Sequence, residues 1–254
     1  MPGRSTTTEA VVLRSIRFGE ADRVLHLYTA DRGRVGAVAK GVRKTKSRFG
    51  GRLEPLSHVE LVLHRGSGEL DTITSVQLVR PHQTARDDYY RLSVGLIGAE
   101  AMLRLFPEQE RNDRAFTAVT RFLDVLDDVP RPAPADADDR PALDSLALAF
   151  QLKLLWLSGY LPHLTSCAEC GADDATLVGF SPRAGGAVCR ACATQAEAIA
   201  LSVEGIRGIE ALLARPLADA PALGLSQRAT RDALRVVTAS YEYNGGFRLK
   251  TLSA

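Results

Sequence analysis

All four cysteines of the chain fall into one pattern, Cys167, Cys170, Cys189 and Cys192, spaced C-x2-C-x18-C-x2-C. Two residues between thiols let a tight turn offer both sulfurs to one metal ion, and a return of roughly 15–20 residues brings a second pair to complete a tetrahedron. Gly171 after the first pair and Ala184-Gly185-Gly186 before the second supply the turns. Four thiolates fill zinc's coordination shell and leave no place for water or substrate, so the spacing predicts one structural zinc per chain rather than a catalytic one. Disulfides are the competing use of these cysteines. They fit poorly with a chain that begins MPGRSTTTEA, without the apolar run of a secretory signal, and the expectation is a cytoplasmic protein. His163 reads as an ordinary histidine rather than a spare ligand. His58-Val59-Glu60 resembles half of a zinc deaminase motif, but it stands far upstream of Cys167 in a predicted strand, and the deaminase reading is set aside.

The chain of 254 residues is 45% apolar and 24% charged, ordinary for one large or two modest cores. Its net charge of +2 hides an asymmetry: residues 1–80 carry 14 Lys/Arg against 8 Asp/Glu, whereas residues 81–254 carry 18 against 22. A basic N-terminal part suits a polyphosphate, and a mildly acidic remainder suits protein contacts or solubility. The most apolar stretch, 143–161, is broken by Asp144, Gln151 and Lys153, which predicts a buried or amphipathic helix rather than a membrane span.

Up to Arg80 the pattern is of short strands at 9–16, 24–29, 35–39, 58–64 and 70–79, with turn compositions at Asp31-Arg32-Gly33-Arg34 and Arg65-Gly66-Ser67-Gly68-Glu69. Five strands with no helix between them predict a small barrel, of which the five-stranded oligonucleotide-binding (OB) kind and the SH3-like kind both fit. After Pro81 the period becomes helical. Residues 87–106 set Leu92, Leu96, Ala99, Leu103 and Phe106 on one face, and 112–127 repeat this with Phe116, Val119, Phe122, Leu123 and Leu126 behind Asn112 or Asp113 as a cap. Residues 129–141, rich in proline, alanine and aspartate, read as an exposed loop, and helices resume at 142–158, 202–214 and 226–243.

The basic excess concentrates at 40–52, KGVRKTKSRFGGR, which holds six Lys/Arg, no acid and three glycines; Arg32 and Arg34 lie on the preceding turn. Cations neutralise phosphates, and an aromatic such as Phe49 offers a face on which any base can stack, or turned inward a plug for the barrel end. The nucleic-acid-binding candidates are therefore Arg32, Arg34, Lys40, Arg43, Lys44, Lys46, Arg48, Phe49 and Arg52. Enzymatic chemistry is hard to place. Gly36 to Val42 fails as a phosphate-binding loop because valine stands where its lysine belongs, no G-x-S-x-G occurs, and no cysteine is left over as a nucleophile, so no catalytic activity is expected.

The runs Phe18-Gly19-Glu20-Ala21-Asp22-Arg23, Gly33-Arg34, Ala39-Lys40-Gly41-Val42-Arg43, Lys46-Ser47-Arg48 and Gly51-Arg52-Leu53-Glu54-Pro55-Leu56 closely resemble the N-terminal signature of the bacterial RecO family of recombination mediators. Leu157-Ser158-Gly159-Tyr160-Leu161-Pro162 looks like that family's approach to its zinc module. The resemblance implies an α+β, multidomain fold: an OB-fold barrel in 1–80, then a mainly α-helical domain in 81–254 with a four-cysteine zinc ribbon inserted at about 162–198. It implies binding of single- and double-stranded DNA, annealing of complementary strands, and assistance in loading RecA onto strands coated by single-strand-binding protein. The implied partners are RecR and the acidic C-terminal tail of single-strand-binding protein, with RecA met indirectly, in the cytoplasm beside the nucleoid. The residues alone also allow an RNA-binding translation or ribosome-associated factor that combines a barrel with a zinc ribbon.

Overall fold

The computed structural model describes residues 5–66, 68–130 and 140–252. Most of the loop expected at 129–141 lies outside them. The chain separates into two compact units, Met1–Asp128 and Val129–Ala254.

The first unit opens with five strands, β1 (Ser5–Phe18), β2 (Asp22–Thr29), β3 (Gly33–Ala39), β4 (His58–His64) and β5 (Asp71–Arg80), closed into a barrel in the order β1-β2-β3-β5-β4. This is an OB-like barrel. Closure depends on the length of β1: its first half pairs with β4 from Ser5↔His64 to Val11↔His58, and its second half pairs with β2 from Ala10↔Thr29 to Phe18↔Asp22. A register shift between Val12 and Arg14 bends the strand between its two partners, as bulges do. Alternation fills the interior, since Val35, Ala37 and Ala39 of β3 point inward while Arg34, Gly36 and Val38 between them do not. The β2–β3 turn requires Gly33 twice over: its φ is +61°, and a Cβ there would stand 2.0 Å from the Glu110 carbonyl oxygen.

Helices α1 (Gln83–Asp87), α2 (Tyr89–Leu105) and α3 (Asp113–Asp128) belong by packing to this first unit, although the sequence division puts everything after residue 80 with the later helices. Asp88 caps α2 by accepting from the Arg91 N–H, and Asn112 rather than Asp113 caps α3 by accepting from the Ala115 N–H at 3.0 Å. Of the expected α2 face, Ala99 and Phe106 are buried while Leu92, Leu96 and Leu103 are half-buried, and Val94, Ile97, Ala101 and Met102 are buried as well. The small residues decide the rotation. A Cβ on Gly95 would meet Leu56 Cδ1 at 2.4 Å, so this side of the helix fits closely where a leucine side could not. His82, fully buried in the link between β5 and α1, is tied at Nδ1 to the Leu56 carbonyl and at Nε2 to Asp124.

The second unit packs α4 (Ser145–Leu157), α5 (Val203–Ala214) and α6 (Gln227–Ser240) against one another, and between α4 and α5 in the chain stands a three-stranded sheet module of β6 (Leu177–Ser181), β7 (Gly186–Cys189) and β8 (Ile199–Ala200), ordered β7-β6-β8. The polar breaks in the apolar run of α4 each have a partner. Asp144 caps the helix through the Leu146 and Ala147 N–H groups, buried Gln151 accepts from the Tyr241 hydroxyl, and Lys153 Nζ donates to the Leu213 carbonyl. Among the described residues no helix is long and apolar enough to cross a membrane.

Candidate metal centre and nucleic-acid interface

The two CxxC turns meet at one end of the small sheet, with Cys189 closing β7 and Cys167 lying before β6. In the first turn the Gly171 N–H donates to the Cys167 carbonyl at 2.8 Å, with Gly171 at a φ of +77° that favours glycine; in the second the Cys192 N–H donates to the Cys189 carbonyl at 3.2 Å. The four Sγ atoms all lie within 4.8 Å of one another, and those of Cys170 and Cys189 are 4.0 Å apart. Tetrahedral bonds of about 2.3 Å to one ion require sulfurs about 3.8 Å apart, so the cluster can hold a metal ion with little adjustment.

The electrostatics point the same way. Burial works against ionisation of Cys167, yet backbone N–H groups led by that of Cys189, which donates to its sulfur at 3.3 Å, bring the thiol down to about 6. Cys192 is instead pushed up to about 12 by hydrogen bonding with the Cys170 and Cys189 sulfurs. Four thiols this close cannot all carry charge without a cation among them. The core beneath the cluster is small, mainly Val188 and Ala196 with the cysteines themselves, which is the setting in which a metal contributes to folding. His163 stands apart from the sulfurs, its Nε2 hydrogen-bonded to Ser166 Oγ at 2.7 Å. His58 is engaged by Glu9 at 2.9 Å.

The expected nucleic-acid residues divide into two sets. Lys40, Arg43, Lys44, Lys46, Arg48 and Arg52 are all exposed on the connection between β3 and β4, and none is ion-paired among the described residues. Their connection is nonetheless pinned: the Gly41 N–H donates to Asp22 Oδ1 at 2.7 Å, the Arg43 N–H donates to the Ala21 carbonyl at 2.9 Å, and Phe49 and Leu53 dip into the barrel core. Arg32 and Arg34 are structural. Arg32 pairs at 2.6 Å with buried Asp71, and Arg34 donates to the Leu103 carbonyl and pairs with Glu108. Phe49 corrects the stacking expectation: it is 1% exposed, packed in the barrel core, and offers no face to a base. The inward plug that the sequence also allows is what the fold builds.

The second unit holds a cleft that sequence reasoning missed, about 520 Å³ between the C-terminal ends of α4 and α5. Its wall is apolar, with Leu161, Leu213 and a half-exposed Trp156, and its charged members are Lys153 and Glu210. Burial lowers the Lys153 ammonium from its ordinary value. The only hint in the sequence is a tryptophan placed four residues before the helix-breaking Tyr160-Leu161-Pro162 run.

An OB-like barrel with a basic connection that forms no ion pair among the described residues, followed by a helical unit that embeds a four-cysteine cluster able to hold a metal ion, defines a barrel-and-ribbon protein. Residues 1–82 match the family described as recombination protein O N terminal, and residues 86–253 match recombination protein O C terminal. The chain is 38% identical over 237 residues to the DNA repair protein RecO of Rubrobacter xylanophilus, covering 92% of this chain and 89% of that one. It is 35% identical over 242 residues to DNA repair protein RecO of Anaeromyxobacter sp. strain K, covering 94% and 91%, and 39% identical over 208 residues to that of Frankia casuarinae, covering 79% and 81%. The chain belongs to the recombination protein O family.

Proposed function

We infer that this chain is a DNA repair and recombination protein that holds and pairs strands without catalytic residues of its own. It binds single- and double-stranded DNA, anneals complementary strands, and with RecR assists the loading of RecA onto strands coated by single-strand-binding protein, in the cytoplasm where the nucleoid lies. The observation that carries the reading is the run of six exposed, unpaired cations on a pinned connection of an OB-like barrel. If all six meet single-strand phosphates, log affinity falls with log salt at a slope near −4, from about 0.7 per neutralised phosphate. Annealing is downhill, so neutralising phosphates and bringing two strands together is enough and ATP is not needed.

The cleft of the second unit fits the tail of single-strand-binding protein. An acidic segment with an apolar end needs a hydrophobic wall beside a cation, which Trp156, Leu161, Leu213 and Lys153 provide. Arg235 of α6 fits less well, because its guanidinium already pairs with the Asp232 carboxylate. The thiolate set suits zinc, which would complete and stiffen the ribbon fold when held by Cys167, Cys170, Cys189 and Cys192.

The test is annealing of labelled complementary strands, bare and coated, by the full chain. Replacing Arg43, Lys46 and Arg48 with alanine should abolish annealing of both. Trp156→Ala with Lys153→Glu, or deletion of the coating protein's tail, should suppress annealing of coated strands alone. Undiminished annealing by the triple variant would refute the strand-holding role of the connection.

A further inference from the structure

With Phe49 buried, the aromatic that the barrel's described residues present to solvent is Phe18, 55% exposed at the end of β1. It does not stand alone. On β1 the residues Arg14, Ile16 and Phe18 pair across to His26, Val24 and Asp22 of β2, and from there to Gly36 and Val38 of β3. The residues between them, Leu25 and Leu27 on β2 and Ala37 and Ala39 on β3, fill the barrel core. Alternation therefore puts Ile16, Val24 and Val38 in one row on the outer face. A Cβ on Gly36 would stand 2.6 Å from Leu70 Cδ2, which lays Leu70 over β3 on that same face. Ile16 and Leu70 are 38% and 39% exposed, so the face is an open apolar strip that ends in an aromatic ring.

Cations border this strip. The turn after Phe18 is bonded to the basic connection at three points: Gly41 N–H to Asp22, Arg43 N–H to the Ala21 carbonyl, and the Arg43 guanidinium to the Glu20 carbonyl at 3.0 Å. Lys40 and Lys44 line the cleft between the two turns. Arg14 is exposed on β1 in the same outward row as Ile16 and Phe18. Glu20 and Asp22 are the opposing charges, two carboxylates among the cations of Lys40, Arg43, Lys44 and Arg14, and Asp22 Oδ1 accepts from the Gly41 amide. A strip that is apolar along its length and cationic at its rim fits a ligand with flat apolar faces joined by negative charges. Single-stranded nucleic acid has that form. Duplex DNA shows its phosphates but hides its base faces in the stack.

We propose that Phe18, with Ile16 and Leu70 beside it, is the platform on which this protein stacks the bases of single-stranded DNA, while Lys40, Arg43 and Lys44 hold the phosphates. The proposal rests on the DNA-holding reading of the basic connection and deepens it. The cations set affinity for strand and duplex alike, and Phe18 sets the preference for the strand.

The experiment titrates the full chain against a fluorescein-labelled oligothymidylate and a labelled duplex of equal length, by anisotropy at several salt concentrations. Phe18→Ala should weaken strand binding about fivefold to a hundredfold, leave duplex binding and both salt slopes unchanged, and melt at the wild-type temperature because the ring is exposed. Phe18→Trp should keep the affinity, with indole fluorescence quenched as the strand binds. Unchanged strand affinity in Phe18→Ala, or equal losses for strand and duplex, overturns the proposal. So does a Phe18→Ala loss confined to an oligouridylate, which would assign the platform to RNA. The variant lacking Arg43, Lys46 and Arg48 separates the two levels. If it loses both ligands while Phe18→Ala loses neither, stacking fails and the DNA-holding reading stands; if it also loses neither, both fall.

Discussion

Phe49 sits in the most basic segment of the chain yet turns its back on any ligand, and Phe49→Ala measures what that inward turn contributes. The connection from β3 to β4 spans residues 40–57 with no regular element, and its buried anchors are Phe49, Leu53 and Leu56, each about 1% exposed. Removing a fully buried phenyl ring costs about 3–5 kcal/mol, and its area leads to a similar figure, roughly 150–200 Å² at about 25 cal/mol per Å². Arg48, whose guanidinium carbon lies 4.8 Å from the ring centroid, adds a cation–π contact of about 0.5–1 kcal/mol at an exposed site. Against a typical stability of about 5–15 kcal/mol this is a large share, and it should lower the melting temperature of the first unit by on the order of 10–20 °C. Phe49→Leu, which refills most of the space, should cost far less. The assay is urea unfolding followed by strand binding well below the transition. Affinity per folded molecule, and its salt slope, should stay within about twofold of wild type. A Phe49→Ala protein as stable as the wild type but weak on single strands would refute the assignment and return the ring to the ligand.

Arg32→Ala should destabilise the barrel by about 3 kcal/mol in the same unfolding assay, because it leaves the Asp71 carboxylate, 5% exposed, buried without its partner, whereas Arg52→Ala on the exposed connection should cost less than about 0.5 kcal/mol. Metal analysis of the purified chain should return one zinc, and Cys189→Ser or a strong chelator should lower the stability of the second unit while DNA affinity per folded molecule stays unchanged; zinc-free protein with an unaltered melt would remove the site.

What can be read from the sequence is whatever depends on neighbours along the chain. The strands at 24–29, 35–39 and 58–64 recur as β2, β3 and β4 within two residues because alternation and turn glycines act over a few positions. The cysteine cluster is legible for the same reason, since two tight turns and a short return are local geometry. The strands of the ribbon, β6 to β8, escape such a reading, because segments of two to five residues hold too little alternation to show. The α2 face is legible only in part, at Ala99 and Phe106, because leucines advertise a core by hydrophobicity, whereas Gly95 reaches one by letting Leu56 come near. Arg32 and Arg34 look like ligand cations because Asp71 and Glu108, their partners, are distant in sequence.

The two phenylalanines show where local reading stops. Phe18 and Phe49 both lie within a few residues of cations, and Phe49 has more of them, so charge density alone selects the wrong ring. What separates them is which side of the barrel wall each occupies. Phe18 follows from the pleat of β1, whose even-numbered residues turn outward once the strand has passed its register shift between Val12 and Arg14; a one-residue slip of that irregularity would turn Phe18 toward the interior. Phe49 has no pleat to follow. It turns inward because a long connection crossing the barrel needs apolar anchors: Phe49 is buried between exposed Arg48 and Gly50, and buried Leu53 and Leu56 follow at intervals of four and three residues. Burying one ring holds the basic connection in place, and leaving the other open on the adjoining strands puts an aromatic face beside the cations that connection carries.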